Sequence, residues 1–338
     1  MSLCINATTA EGMILAADSR QSYRNQKGMA RIGSDSATKV FQLSSCVGLA
    51  VAGIAFLPED GMLKNISNFI EEFTVEEKPE KLRIKEIADR LKVFFEEKYQ
   101  YENQLDLLPL QIETDLKARG FKIEKIEKRK THIEFSFKTP DGLINKGVAG
   151  IDQLQFLIAG YDEDLSHAVY EVNIPGKSPE ERRNSIKRGS EFGASWIGQT
   201  DVLTRIVLGF DPRIGNLSLV QQATAQFGES SIKQQLRGLE YVIQWGTMTL
   251  QDAIDFCKLA IETTSAIQRF SDGIQADPGD MPGVGGPVDI AVITPKKGFV
   301  WVAKKNLAID EKQIDLNNFD DIKIVKKDKV RNGNSKNN

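Results

Sequence analysis

Ser2-Leu-Cys-Ile-Asn-Ala-Thr-Thr9, then Glu11-Gly12, then Met13-Ile-Leu-Ala-Ala-Asp-Ser-Arg20, is the stretch that decides how this chain is read. Two short apolar runs rich in strand-forming residues, separated by a turn at Glu11-Gly12, read as a β-hairpin that opens the fold. A small residue directly behind Met1 lets the methionine be trimmed, so Ser2 is expected to become the free N-terminus. A terminal serine carries a nucleophilic hydroxyl and, in its α-amine with a pKa of about 7.7 to 8.0, a base suited to neutral pH. Such a residue can begin acyl transfer unaided.

The wider composition narrows the alternatives. The 338 residues hold two histidines. His132 lies in the alternating run Thr131 to Phe137 and His167 follows the turn-like Asp162 to Ser166, so both read as surface or edge residues, and neither has the context of a Ser-His-Asp triad. Cys4, Cys46 and Cys257 are odd in number, far apart and set in apolar segments. That pattern points to buried thiols in a reducing compartment, with cytoplasm expected, and not to a disulfide frame or a zinc site. The uncharged stretch from Val40 to Pro58 is broken by Gln42, Ser44, Ser45 and two glycines, a poor bilayer span. A net charge of -3 with both signs interspersed gives no footprint for nucleic acid.

Outward from the hairpin, Lys39 to Leu43 and Val47 to Gly53 read as two more strands. Helical spacing predicts helices over Pro58 to Phe73 and Leu82 to Tyr99, lying against a sheet. Residues 101 to 150, with a charged stretch around Ile123 to Ile126 and a hairpin-like Phe135 to Ile144 turning at Pro140-Asp-Gly142, read as an insertion. Gln153 to Tyr161 and His167 to Asn173 form an antiparallel pair, and Ile197 to Phe210 reads as a helix. Thr249-Leu-Gln-Asp252 resembles a capping box starting a helix to about Arg269. Asp272 to Pro287 is loop, and Val288 to Thr294 with Gly298 to Val302 close a sheet. The expected architecture is one α+β domain over residues 1–325, with two sheet layers and outer helices; the polar tail 326–338 is expected to be disordered.

Five segments in their order resemble proteasome-type subunits of the β-type and HslV/Anbu-like branch of N-terminal nucleophile hydrolases. They are the opening hairpin with Gly12 and Ala16 to Arg20, Lys39-Val-Phe-Gln42, Val51-Ala-Gly53, Leu157 to Asp162, and Met248 to Ala253 together with Val288 to Ile293. The resemblance implies a four-layer αββα sandwich of two antiparallel sheets flanked by helices. It carries the nucleophile onto Ser2, the acidic and basic strand partners onto Asp18 and Arg20, the catalytic lysine onto Lys39, and the oxyanion glycine onto Gly53. Val51 falls on a specificity-pocket position that hints at apolar substrate side chains. A buried Lys39 countered by Asp18 would favour the Ser2 alkoxide and hold the α-amine neutral, and the Gly53 N–H would stabilise a tetrahedral oxyanion.

Rival nucleophiles fit less well. A start at Thr8-Thr9 leaves about two residues before the turn, too short a strand to reach Asp18, whereas with Ser2 first the hairpin pairs residues summing to about 23. Cys4 lies inside the strand and offers no α-amine. The chain also departs from the family: serine replaces threonine, and Ile197-Gly-Gln-Thr200 stands where a Ser-Gly is usual, with Thr200 or Gln199 as substitutes. A long loop displaces the carboxylate and serine expected after the last helix, for which Asp272 and Ser271 are candidates. By resemblance the chain is a peptidase in a homo-oligomeric ring, acting on peptides or unfolded proteins, with a possible unfoldase partner and no cofactor or metal. Alternatives are a non-catalytic ring subunit and an N-terminal serine amidase for small amides.

Overall fold

The computed structural model describes residues 2–24, 29–187, 189–274, 277–278, 281–309 and 312–314. The fold is mixed α+β, built on antiparallel sheets and helices. Its first strands are β1 (Leu3–Thr8) and β2 (Met13–Ala17), followed by a small hairpin, β3 (Gln21–Arg24) with β4 (Ala30–Ser34), and by β5 (Val40–Gln42) and β6 (Val47–Gly53). The opening hairpin is one step tighter than expected. Cys4 faces Ala17 and Thr8 faces Met13, a register summing to 21, and Thr9 N donates to the Gly12 carbonyl at 2.9 Å. The two-residue turn is therefore Ala10-Glu11.

The helix expected from Pro58 begins later. Residues 56 to 65 form a hairpin, β7 (Phe56–Glu59) and β8 (Met62–Asn65), because Asp60 and Gly61 adopt φ of 52° and 78°, the paired left-handed conformation of a tight two-residue turn. Asn65 then caps α1 (Ile66–Glu77), its side chain accepting from Ser67 N. Helix α2 (Ile84–Lys98) follows as expected, with Ile84, Ile87, Leu91, Phe94 and Phe95 buried.

Residues 101 to 150 hold α3 (Tyr101–Ala118), a helix the sequence reading did not foresee, and a three-stranded sheet of β9 (Lys122–Lys128), β10 (His132–Lys138) and β11 (Ile144–Gly150). Pro109 inside α3 and its sparse buried positions, Leu105, Ile112 and Leu116, hide its period. These three residues and Ile133 form a cluster of their own, joined by partly buried Phe121, Phe135 and Phe137.

Strands β12 (Leu154–Tyr161) and β13 (His167–Ile174) pair as expected, followed by β14 (Glu180–Asn184). Ile197 and Gly198, expected in a helix, end strand β15 (Gly193–Gly198), which pairs along β1; only then does α4 (Asp201–Leu208) begin. Gly193-Ala-Ser-Trp-Ile-Gly198 is a short run without clear alternation, which periodicity does not separate from a helix start. Two helices without buried residues, α5 (Ser218–Phe227) and α6 (Glu229–Arg237), lead to α7 (Leu250–Phe270), whose Thr249 and Asp252 close the expected capping box. A two-residue pair, β16 (Gly273–Ile274) and β17 (Asp277–Pro278), precedes β18 (Asp289–Thr294) and β19 (Gly298–Ala303).

One five-stranded sheet runs β15-β1-β2-β18-β19 and another β14-β13-β12-β6-β5, all neighbours antiparallel. Alternation along the strands sorts their side chains into clusters. Cys4, Leu15 and Ala291 of the first sheet share a cluster with Ala50, Ala52, Leu157 and Ala159 of the second. On the other face of the first sheet, Leu3, Ile5 and Ile14 pack with Leu203 of α4 and with Ala253, Cys257 and Ile261 of α7. On the other face of the second, Leu49, Val51 and Phe156 pack with Phe69 and Phe73 of α1 and with Leu91 and Phe95 of α2. His167, expected at the surface, is buried at the start of β13, and its Nε2 meets the Glu191 carbonyl at 2.8 Å. His132 lies half-buried on the middle strand of the small sheet. Among the described residues, no helix is long and apolar enough to cross a membrane. The tail 326–338 lies outside the described residues.

Candidate active site

The first strand brings Ser2 to the end of the first sheet and fixes it from two sides. Its carbonyl accepts from Gln199 N at 2.6 Å, just past the end of β15, while the next amide, Leu3 N, donates to Asp18 Oδ1 at 2.9 Å. Gly198 permits this approach. It has φ of 90°, and a Cβ there would stand 2.0 Å from the Ser2 carbonyl oxygen.

Asp18 follows the last residue of β2 and is fully buried. Both its oxygens are saturated: Oδ1 accepts from Leu3 N and from Lys39 Nζ at 2.8 Å, and Oδ2 accepts from Arg20 N and Gly285 N, each at 3.0 Å. A carboxylate so held anchors the segments around it. Lys39, 5 % exposed just before β5, also donates to the Arg20 carbonyl at 2.5 Å. Two of its three N–H bonds are thereby assigned to the protein.

Asp18 and Arg20, the acidic and basic strand partners of the resemblance, do not bond to each other through side chains. Asp18 pairs with Lys39, and Arg20 instead grips Asp35 with two bonds, Nε to Oδ1 at 2.7 Å and Nη2 to Oδ2 at 3.0 Å. That bidentate contact raises the Arg20 pKa and lowers that of Asp35 below the usual carboxylate value. β2 ends at Ala17, so the strand period that would set residues 18 and 20 on one face no longer applies. The two charges therefore find different partners.

Ser2, Arg20, Lys39, Val51 and Gly53 line one narrow cleft of about 40 Å³, with Asp18 beneath it. Gly53 ends β6 with φ of 98°, and a Cβ there would strike the Gln153 carbonyl at 1.9 Å. Val51 N donates to the Lys39 carbonyl on the β5 side, and Ile54 N donates to the Gln153 carbonyl on the β12 side. Continuing this alternation turns the Gly53 N–H toward the β5 side, where the cleft lies. Cys4 sits in the core beside the cleft, donating its S–H to the Val51 carbonyl, and burial pushes its thiol up to about 12. Neither His132 nor His167 reaches the cleft.

Several supporting residues gave no sequence signal. Asp35 sits in an ordinary polar run, and Asn65, which also lines the cleft, was hidden inside a misread helix. In the loop after α7, Ser271 and Asp272 are exposed and away from the cleft, whereas Gly285 binds Asp18 and Pro287 accepts from Ser19 Oγ at 2.7 Å. Gln268 of α7 ties the loop to the residue after β15: its Oε1 accepts from Gly283 N and Val284 N, and its Nε2 donates to Gln199 Oε1 at 3.1 Å. Gln199 thus supports Ser2 through its backbone, while Thr200 makes no side-chain cap on α4. Among the described residues no group of three or more His, Cys, Asp and Glu side chains could hold a metal ion.

No protein-family model matches the chain, and no curated protein matches its sequence. Among solved structures it resembles one described as an Anbu (Gly-1) mutant from Hyphomicrobium sp. strain MC1, at 10% identity over 92% of this chain and 88% of that one. The TM-score is 0.43, a superposition too loose to carry an argument about chemistry.

Proposed function

We propose that the chain is a proteasome-like peptidase that hydrolyses peptide bonds through Ser2, made N-terminal by removal of Met1. The observation that carries this reading is the common cleft of Ser2, Lys39 and Gly53, with the lysine held by a saturated, buried Asp18. Ser2 Oγ attacks the substrate carbonyl carbon and passes its proton to the Ser2 α-amine. The Lys39 ammonium stabilises the developing alkoxide, and the Gly53 N–H donates to the tetrahedral oxyanion. Collapse of the intermediate breaks the C–N bond. The amine leaves with the proton from the α-ammonium, and Ser2 is left as an ester. Water, deprotonated by the same α-amine, attacks the ester and restores Ser2 Oγ–H.

The architecture that fits this chemistry is the four-layer αββα sandwich of N-terminal nucleophile hydrolases. In this reading residues 1–325 form one domain that carries 101–150 as an insertion, and copies of the chain close into a ring that hides the clefts. The decisive experiment combines intact mass with turnover of peptide amides. Loss of Met1, turnover by the native chain and its disappearance in a folded Ser2→Ala variant are expected. A retained Met1, or unchanged turnover in Ser2→Ala, would remove Ser2 as nucleophile. Cleavage of small acylamides without cleavage of peptides would make the chain an amidase.

A further inference from the structure

Asn65 is one of the polar side chains in the cleft wall that take no part in the proposed chemistry, with Gln21, Ser22 and Thr38. It lines the same cleft as Ser2 and Gly53, on the side where β8 passes into α1. Its Oδ1 is committed, accepting from Ser67 N at 2.9 Å and from Ser67 Oγ at 3.0 Å. The backbone N–H can only donate, so this bond fixes which end of the amide is oxygen. The Nδ2 end, with two N–H donors, is left without an acceptor among the described residues. The rest of the wall is mixed, with Val51, Ile54 and Ile66 among its apolar residues and Gln21, Ser22 and Thr38 among its polar ones. A donor pair whose orientation is fixed by the Ser67 bonds favours a ligand that brings a carbonyl oxygen over one that brings a cation.

We propose that Asn65 is a specificity-determining residue that donates through Nδ2 to a carbonyl oxygen of the peptide residue on the acyl side of the cleaved bond. The proposal rests on the cleft being the substrate site. The acceptor is either the side-chain amide oxygen of a residue such as glutamine or a main-chain carbonyl, and the two sources give different patterns below.

Asn65→Asp is the informative change, because aspartate caps a helix as well as asparagine does and keeps the bonds to Ser67, while the donor facing the cleft becomes an acceptor. Asn65→Ser is the companion variant, which also keeps a capping oxygen but withdraws from the cleft. Both are made in a Ser2→Ala chain, so that binding is read without turnover. Acetylated peptide amides with Leu, Gln or Lys at the acyl-side position serve as probes, and thermal melts report on the fold. With a side-chain acceptor, both variants lose about three- to tenfold in affinity for the Gln peptide alone, and Asn65→Asp gains for the Lys peptide. With a main-chain acceptor, all three peptides lose about equally. Affinities unchanged within twofold in both folded variants, or no binding of any peptide to the Ser2→Ala chain, would overturn the proposal. Absence of turnover in the native chain, with binding retained, would count against the peptidase and leave this inference standing.

Discussion

At the residue scale the centre of the cleft is an ion pair whose acid partner is fully enclosed. Replacing Lys39 by Met leaves Asp18 buried with three N–H donors and no counter-charge. Such a change costs about 3–5 kcal/mol, measurable by urea titration; a cost below about 1 kcal/mol would mean the pair does not form in solution. The thiols give a second test. Cys4 and Cys257 are fully buried and held well above the usual thiol pKa by burial, while Cys46 is partly exposed. A thiol reagent should therefore titrate one cysteine in the folded chain and three after denaturation. The sign of the alkaline limb follows from Cys4. Its folded pKa of about 12 lies above the unfolded value of about 8.5. Its contribution is present below about pH 8.5 and drains away as pH rises toward 12, so Cys4→Ala should flatten that limb. Asp35 acts in the opposite sense. Its pKa is depressed by Arg20, so its contribution is present above about pH 4 and lost as pH falls through the folded value, and its exposure keeps the effect under about 1 kcal/mol.

At the element scale, strength lies where a helix covers a sheet. Phe95 of α2 is fully buried against Phe156 of β12, with ring centroids 4.6 Å apart. Phe95→Ala should cost about 3–5 kcal/mol in the same titration, whereas Thr249→Ala, which removes only the α7 cap, should cost about 1 kcal/mol. Elements with one dominant period were legible: β1, β2, β6, β12, β13, α2 and the capped α7 lie where the pattern set them. Misread elements had competing signals. Around β8 the spacing of Leu63 with Ile66, Phe69, Ile70 and Phe73 extended the helix back to Pro58, but the Asp60-Gly61 turn prevailed. In β15 the run Ser195 to Ile197 was continuous with the helix that follows.

At the scale of the whole molecule, residues 101–150 keep their hydrophobic cluster to themselves, and the chain leaves and returns at neighbouring points, with Tyr99 OH donating to the Asp152 carbonyl at 2.6 Å. Replacing residues 103–149 by a short Gly-Ser linker should leave the remainder folded, with a cooperative melt and unchanged binding at the cleft. A molten or aggregated product would show that the segment is part of the main core. The loop after α7 behaves differently, since Gly285 and Pro287 reach across the molecule to Asp18 and Ser19. Its excision should disturb the cleft itself.

By itself the sequence determined β1, β2, β6, β12 and β13 and the helices α2 and α7, because alternation, helical spacing and caps are local properties of the chain, while the six candidate site residues came from the resemblance of its segments to a known family. Ser2, Arg20, Lys39, Val51 and Gly53 do line one cleft, with Asp18 beneath. The Asp18–Lys39 pair was expected, but the remaining partners were decided only in three dimensions. A buried charge takes whichever counter-charge and N–H donors the packed sheets bring within reach, so Asp18 holds Lys39 and Gly285 while Arg20 turns to Asp35. Those partners come from stretches of chain as much as 267 residues apart, a distance no local pattern spans.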